Sequence, residues 1–281
     1  MSNNCYRFER ISQDKNLFNV DATYILTMEN SNRKKQFMEQ INKFSIGKNI
    51  FIQYNKGYKK CKKKMGNESN YINKTYIDLF HAYINIFKHA KNNNFKTILT
   101  LEDDFIISNK INEKDIKNIN NFIPLLNKNN YVLRLGTCPG VTRPCLKNLS
   151  FRRLYYGLGA HALIIPNTIF DSIINKNKNL NEDWDWYMNK YKQYMYYKPL
   201  VYQVYENTDN QKLWGETNGL QKLVPLVKSY FKITKLDKQI EPGTSILYII
   251  NDLIYIIIPI ILVLFLIIKI IIKINKTNKL I

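Results

Sequence analysis

Cysteine, proline and glycine are all scarce in this chain of 281 residues, which contains only four, eight and ten of them. Four scattered cysteines are too few for a disulfide scaffold or a zinc cage, whereas the length is ample for a hydrophobic core in one sizeable domain or two small ones. Hydrophobic residues make up 45% of the chain and charged residues 23%, which excludes a disordered tail and a collagen-like repeat. The sequence also lacks a phosphate-binding P-loop, a GxGxxG after the first predicted strand and a GxSxG elbow, so none of these sites is indicated.

Acidic residues are few relative to basic ones, 22 against 42, which leaves a formal net charge of +20. Such an excess is typical of proteins that bind nucleic acid or anionic membranes. Lys, Asn, Ile and Tyr are over-used along the whole chain, however, which indicates a compositional bias rather than one basic surface. Because the sequence also contains no recognised nucleic-acid-binding motif, we predict no nucleic-acid partner.

The C-terminal part contains one long apolar segment. No charged residue occurs from 253 to 268, and the apolar character resumes through Ile272. Twenty helical residues span about 30 Å, the thickness of the hydrocarbon core of a bilayer, and a proline such as Pro259 is tolerated in membrane helices. We predict a single transmembrane helix over 246–272, followed by a short basic tail over 273–281 at the surface of the lipid bilayer.

The two ends of the chain bear on the orientation of this anchor. The N-terminal residues contain no apolar run that resembles a signal peptide, and only a few residues follow the apolar segment. This arrangement favours post-translational, tail-anchored insertion with the N-terminal domain in the cytosol. Lysines on both sides of the span weaken the positive-inside rule as a test of this orientation.

Short apolar runs alternate with helical patterns before the anchor. This alternation predicts an α/β fold, in which a sheet of parallel character is covered by helices on both faces. It divides the chain into an N-terminal extension over 1–20, a domain over 21–222 and a basic linker or short amphipathic stretch over 223–245. The predicted strands are 22–27, 49–53, 97–101, 131–135, 160–165 and 200–205, and the predicted helices start after Ser31 or cover 74–91 and 167–174.

Three consecutive acidic residues, Glu102, Asp103 and Asp104, follow the strand predicted over 97–101. Ligands of parallel α/β sheets bind beyond the carboxyl ends of the strands. Adjacent carboxylates repel one another, and Mn²⁺ or Mg²⁺, which prefer oxygen ligands, relieve that repulsion. Glu102 and Asp104 point the same way if the strand continues, so they are candidate ligands of one metal ion, whereas Asp103 faces the opposite side. A solvated turn is the alternative for so short a motif.

A second acidic segment runs from Glu182 to Trp186 and contains Asp183 and Asp185. Two tryptophans that bracket an aspartate suit sugar recognition, because aromatic faces stack on a pyranose while the carboxylate binds hydroxyls. The alternative is a helix N-terminus, where acids interact favourably with the helix dipole and the tryptophans pack inward.

Two histidines lie within apolar patterns. His81 follows Phe80 in the helix predicted over 74–91, and His161 lies in the strand predicted over 160–165. For each histidine a satisfied core residue is the default interpretation, and catalysis or metal binding is the alternative.

The order of these segments resembles glycosyltransferase family 25, the group of bacterial lipopolysaccharide galactosyltransferases and animal collagen galactosyltransferases. Phe80 stands where this family usually has serine, and a membrane anchor is not typical of the family. The segments that carry the resemblance cover about residues 20 to 210 and read YILTMENSNRKKQF, IDLFHAYINIFKHAKNNNFKTILTLEDDF, GLGAHALIIPNTIFDSII, NEDWDWYM and PLVYQVYEN.

The resemblance implies a GT-A-like, Rossmann-type mixed sheet in the domain over 21–222. It also implies a nucleotide-sugar donor, a UDP-hexose, with Mn²⁺ (or Mg²⁺) bridging the acids to the diphosphate, and a glycan or protein acceptor. By residue, it implies Glu102 and Asp104 as metal ligands, Thr27, Arg33, His81 and Asp103 as donor-binding residues, and Asp185 or Asp183 as the catalytic base.

Two alternatives to a transferase stay open. The first is a membrane-anchored structural or scaffolding protein whose transferase fold has lost catalysis, which predicts no metal-dependent transfer or hydrolysis. The second is a membrane-tethered nucleic-acid binder, which predicts retention on DNA or RNA with a steep salt dependence.

Overall fold

The structure, a computed structural model, describes residues 5–66, 71–203, 224–236 and 238–278. Within these ranges the chain forms eleven strands and seven α-helices. The strands are β1 (Tyr6–Ser12), β2 (Ala22–Met28), β3 (Asn49–Asn55), β4 (Thr97–Glu102), β5 (Phe105–Ile107), β6 (Tyr131–Arg134), β7 (Cys138–Pro144), β8 (Phe151–Leu158), β9 (Ala162–Pro166), β10 (Lys192–Tyr196) and β11 (Val201–Gln203). The helices are α1 (Lys34–Phe44), α2 (Thr75–Asn92), α3 (Glu113–Asn129), α4 (Phe170–Asn175), α5 (Trp184–Met188), α6 (Val224–Thr234) and α7 (Gly243–Asn278).

Nine strands form one mixed sheet in the order β1-β3-β2-β4-β9-β6-β10-β8-β7. Strands β3, β2 and β4 are parallel neighbours, as are β6 and β10, and the other neighbouring pairs are antiparallel. Strands β5 and β11 pair separately in a small antiparallel sheet. The predicted α/β fold, a mixed sheet flanked by helices, is confirmed.

Helices cover both faces of the main sheet, which explains why its central strands are apolar throughout. In β2, Ile25 points into a core shared with α1 and α3, whereas Tyr24 and Leu26 point into a core shared with α2, α4 and α5. Alternate side chains of a strand face opposite sides, so a strand buried on both faces reads as a continuous apolar run. This packing presents the carboxyl ends of β2, β3 and β4 at one edge of the molecule.

The predicted N-terminal extension over 1–20 is instead partly a strand of the main sheet. Strand β1 pairs antiparallel with β3 in a register that joins Tyr6 to Asn55 and Ser12 to Asn49. The sequence shows no apolar run at this strand, because the strand lies at the edge of the sheet and carries charged residues, which are common on edge strands. A disulfide between Cys5 and Cys61, which the sequence did not predict, ties the start of β1 to the segment after β3.

The segment expected to be a linker over 223–245 contains helix α6, which matches the amphipathic alternative. Phe231 and Leu236 are buried and pack with Leu158 and Leu247. Helix α7 follows, and its part from Gly243 to Ile272 is long and apolar enough to cross a membrane. Residues 1–4 of the predicted extension, 67–70 and 204–222 of the predicted domain, 223 and 237 of the linker and 279–281 of the tail lie outside the described residues.

Candidate active site

The acidic triplet lies where two parallel strands end side by side. In the register of β2 and β4, Leu26 is opposite Glu102, so Thr27 and Asp103 follow at the same edge. Asp103 and Asp104 form the turn between β4 and β5. The topology therefore places the triplet at the carboxyl ends of the strands, where α/β folds bind their ligands.

Asp103 is the centre of a hydrogen-bond network. The Thr27 and Ser31 hydroxyls each donate a 2.6 Å hydrogen bond to its Oδ2 atom. Arg33 Nη1 lies 3.2 Å from Oδ1 of Asp103 and 3.5 Å from Oδ2 of Asp104. Three predicted donor-binding residues, Thr27, Arg33 and Asp103, thus contact one another. Because both Asp103 oxygens accept from side chains, this carboxylate holds the site together.

Asp104 is only 4% exposed, and its two oxygens differ in their environment. Oδ2 accepts from Gln203 Nε2 at 3.2 Å and faces Arg33, whereas Oδ1 is buried and has no hydrogen-bond partner among the described residues. Burial raises the pKa of Asp104 to about 6, which the charge of Arg33 opposes and that of Asp103 reinforces. A buried carboxylate oxygen without a donor suits a cation that the chain itself does not supply.

Glu102 lies beside Asp104 at the end of β4 and accepts a 2.8 Å hydrogen bond from the Tyr83 hydroxyl. Burial, and then the charges of Asp104 and Asp185, raise its pKa well above the ordinary range. A divalent cation beside Glu102 and Asp104 would lower both of their raised pKa values, so this pair suits Mn²⁺ or Mg²⁺ with phosphate oxygens as further ligands.

The described residues contain no group of three or more His, Cys, Asp or Glu side chains already arranged around a metal position. Asp103 is engaged by its neighbours, which leaves Glu102 and Asp104 as the pair that matches the predicted ligands. Mg²⁺ sites often use one or two carboxylates and take the remaining ligands from substrate phosphates.

The second acidic segment forms the start of α5. Asp183 caps the helix by accepting a 2.8 Å hydrogen bond from the Asp185 backbone N–H. The Asp185 carboxylate accepts from the backbone N–H groups of Gly159 at 2.9 Å and Ala160 at 2.7 Å. Gly159 has φ of +73°, a conformation that glycine adopts without strain, and Asp185 fixes this turn before β9. Burial, and then the charge of Asp185, raise the pKa of Asp183 to about 7.

The two tryptophans of this segment have different environments. Trp184 is 1% exposed and stacks on Tyr83, with ring centroids 4.2 Å apart, so it packs inward as the helix-terminus alternative predicts. Trp186 packs edge-on against Tyr156 at 5.2 Å. The predicted pair of sugar-stacking tryptophans is therefore wrong for Trp184.

The structure does not bring His81 into contact with the acidic triplet. Its Nδ1 lies 2.6 Å from the Tyr6 hydroxyl, and it lines a separate cavity of about 450 Å³ with Lys62 and Lys64. Burial lowers its pKa to about 4. Because the helix turns about 100° per residue, Tyr83 and not His81 points toward Glu102. His161 is buried in the core, as its default interpretation predicts, but only its Nε2 is satisfied, by the Val201 carbonyl at 3.3 Å, and Nδ1 has no hydrogen-bond partner among the described residues.

Sequence reasoning missed three residues of this site: Ser31, Tyr83 and Gln203. Ser31 was expected to cap a helix, but α1 begins at Lys34 and its cap position is Arg33. Tyr83 belongs to an apolar helix pattern in which a tyrosine gives no functional signal. Gln203 did carry a signal in the sequence, because it lies in the glutamine-containing segment PLVYQVYEN that contributes to the family resemblance.

No family model matches the chain and no curated protein matches it, so the resemblance to glycosyltransferase family 25 stays a prediction. Solved structures similar to it include A197 from STIV, at 13% identity over 64% of this chain and 82% of that chain, with a TM-score of 0.38. A glycosyltransferase involved in the glycosylation of the major capsid of PBCV-1 has 13% identity, covers 57% and 68% of the two chains, and has a TM-score of 0.31. UDP-glucose pyrophosphorylase complexed with UDP-glucose has 12% identity, covers 62% and 72%, and has a TM-score of 0.32. All three scores are below 0.5, so the function must be inferred from the site itself.

Proposed function

We propose that this chain is a metal-dependent glycosyltransferase that moves a hexose, galactose or glucose, from a UDP-sugar to a hydroxyl group of a glycan or protein acceptor. The observation that supports it most is the buried carboxylate of Asp104, which follows Glu102 and the end of β4. Its Oδ1 atom has no hydrogen-bond partner among the described residues. A divalent cation would supply the positive charge that these two groups lack, and the diphosphate of a donor would complete its set of oxygen ligands.

In this proposal Glu102 and Asp104 would hold Mn²⁺ or Mg²⁺, which when bound would offset the charge of the departing nucleoside diphosphate, the main electrostatic demand of the transfer. Arg33, held by Asp103 and Asp104, adds a second positive charge at the same edge. Thr27 and Ser31 orient Asp103 and thereby Arg33, so their contribution is positional.

The proton of the acceptor hydroxyl needs a base in an inverting transfer. Asp183 fits this role better than Asp185, because a pKa of about 7 suits proton transfer near neutral pH. Both oxygens of Asp185 accept from backbone N–H groups, those of Gly159 and Ala160, whereas Asp183 accepts the Asp185 N–H through Oδ1 as the cap of α5. We therefore assign proton acceptance to Asp183 and positioning to Asp185.

We also propose that α7 anchors the protein in a lipid bilayer. Its apolar side chains from Leu253 to Ile272 are exposed wherever the structure describes them, apart from the half-buried Tyr255. The Cys5–Cys61 disulfide bears on which compartment contains the domain. The predicted cytosolic orientation and the Cys5–Cys61 disulfide disagree, because disulfides persist in oxidising compartments.

The decisive experiment incubates the full-length protein in detergent with Mn²⁺ and either UDP-glucose or UDP-galactose, and measures release of UDP. We expect release by the wild type, and loss of release in Asp104→Asn and in wild type treated with a chelator. The matched control is Asp171→Asn, an exposed aspartate on α4 whose loss should leave release unchanged. Equal release by Asp104→Asn would overturn the metal assignment, and no release by the wild type would favour the inactive structural alternative.

A further inference from the structure

The first turns of α7 are fixed to the edge of the main sheet. The Tyr248 ring is buried against Leu154 of β8. Asn251 donates a hydrogen bond from its side-chain amide to the Thr142 hydroxyl of β7. Two consecutive turns of the helix therefore contact both strands of the β7–β8 hairpin, and the helix has a defined direction relative to it.

That direction follows from the register of the hairpin. Thr142 pairs with Leu154, and Pro144 pairs with Arg152, two residues nearer the connecting turn. Asp252, which follows the helix residues that contact Thr142 and Leu154, forms an ion pair with Arg152 at 2.9 Å. As α7 advances toward its apolar part, its contacts thus advance toward the tip of the hairpin.

The tip of the hairpin, residues 145–150, extends beyond the last of these contacts. Residues 145–150 form turns, closed by hydrogen bonds from the Cys145 N–H to the Phe151 carbonyl and from the Asn148 N–H to the Cys145 carbonyl. The tip therefore lies closer to the Pro144–Arg152 pair than an extended strand would, whose rise of roughly 3.3 Å per residue places three residues about 10 Å farther along. A helix covers that distance in about one to two turns. The tip is therefore level with the first turns of the apolar part of α7, which begins directly after Asp252.

The chemistry of the tip matches that position. Leu146 is 90% exposed and Leu149 is 69% exposed, although both are large apolar side chains. Lys147 lies between them, and Arg143 is exposed on the adjoining strand. Exposed leucines among basic side chains are the pattern of a segment that enters the interface of an anionic membrane.

We propose that the β7–β8 hairpin tip is a second membrane contact, in which Leu146 and Leu149 enter the interface and Arg143 and Lys147 bind anionic headgroups. This inference rests on the proposed anchoring by α7 and goes beyond it. With α7 as the only contact, the helix and the domain fixed to it can tilt together relative to the bilayer. A second contact at the hairpin tip would hold the sheet at a fixed angle to the bilayer.

The test uses the full chain in vesicles of phosphatidylcholine and phosphatidylserine. Cys138 and Cys145 are replaced by alanine, the Cys5–Cys61 disulfide is kept, and one new cysteine carries an environment-sensitive fluorophore. The three positions are Leu149→Cys in the tip, Leu262→Cys in the apolar part of α7, and Lys48→Cys at the start of β3, near the opposite edge of the sheet. Quenching by aqueous iodide is compared with quenching by spin-labelled lipids.

We expect the label at Leu149 to shift to shorter wavelength and to be quenched by lipid-borne groups near the headgroups. The label at Leu262 should respond to deeper groups, and the label at Lys48 only to iodide. A Leu149 label as open to iodide as the Lys48 label, with Leu262 buried in lipid, would overturn the hairpin contact and leave the anchor intact. A Leu262 label open to iodide would overturn the anchor and the hairpin contact together.

A second measurement avoids labels and the cysteine replacements. Trypsin should cleave after Lys147 slowly when the wild-type protein is in these vesicles and fast in the variant Leu146→Asn/Leu149→Asn. The control Leu125→Asn, at an exposed leucine of α3, should keep the slow rate. The difference between wild type and double variant should shrink in vesicles of phosphatidylcholine alone, because the basic residues then lose their anionic partners. Equal cleavage of wild type and double variant in the anionic vesicles would contradict the proposal.

Discussion

The Thr27 hydroxyl donates a 2.6 Å hydrogen bond to Oδ2 of Asp103, and this contact joins the ends of two neighbouring parallel strands. Thr27→Val removes the donor while it keeps the shape of the side chain. We expect the free energy of unfolding to fall by about 1.5–3 kcal/mol, the range for hydrogen bonds to charged groups, as measured by urea denaturation. The same substitution at the exposed Thr168 should change it little. An unchanged stability of Thr27→Val would show that Ser31 and Arg33 alone satisfy Asp103.

Asp104→Asn should make the protein more stable while it abolishes the proposed activity. Burial raises the pKa of Asp104 to about 6 in the folded chain, against about 3.9 in an unfolded one. Between these values the folded state keeps a proton that the unfolded state has lost, so stability falls as pH rises from about 4 to about 6. At pH 7.5 the neutral variant should gain about 1–3 kcal/mol in the free energy of unfolding.

Thermal unfolding across pH tests this expectation. The stability that Asp104→Asn gains over the wild type should become smaller below pH 6. The stability of Asp171→Asn, at an exposed aspartate, should show no such trend. Added Mn²⁺ should raise the melting temperature of the wild type and not that of Asp104→Asn, because the ion binds the folded state through this carboxylate. A gain that persists at pH 4 would mean that burial does not disfavour the Asp104 charge.

The variants Asp183→Asn and Asp185→Asn should differ in how kcat/KM depends on pH. If Asp183 accepts the proton, kcat/KM rises as pH increases through about 7, where this group ionises, and Asp183→Asn gives a low rate without that rise. Asp185→Asn keeps a rise but moves it to lower pH, because the charge of Asp185 helps to raise the pKa of Asp183. It also lowers the stability, because an amide cannot accept from both Gly159 and Ala160 through its NH₂ group. If kcat/KM rises with pH in the same way in the wild type and in Asp183→Asn, the ionisation belongs to another group.

The central strands and the position of the acidic triplet could be predicted from the sequence, for a physical reason. Strands such as β4 are buried on both faces and read as apolar runs, and the triplet follows that run directly. Local pattern is enough here, because adjacent parallel strands must bring their carboxyl ends to one edge.

Features set by contacts between distant segments were not predictable in this way. Strand β1 carries charged residues and is recognised only through its pairing with β3. Gln203 reaches Asp104 across 99 residues of sequence, and the Tyr83 hydroxyl reaches Glu102 from a helix whose pattern signals only a core. His81 was assigned to donor binding by resemblance, whereas its rotation on α2 turns it toward Tyr6.

The Cys5–Cys61 disulfide tests the orientation of the protein. It closes a loop of 56 residues, which in the chain-entropy account stabilises the fold by about 4 kcal/mol. We expect cells that express the full chain to yield protein in which Cys5 and Cys61 resist alkylation until a reductant is added. The domain should then also be protected from protease in sealed membrane vesicles, since oxidising compartments lie on the far side of the membrane from the cytosol. Cys61→Ala is the control and should expose Cys5 to alkylation without reductant. Free thiols at both positions, with a domain open to protease, would instead support the cytosolic, tail-anchored orientation that the sequence predicts.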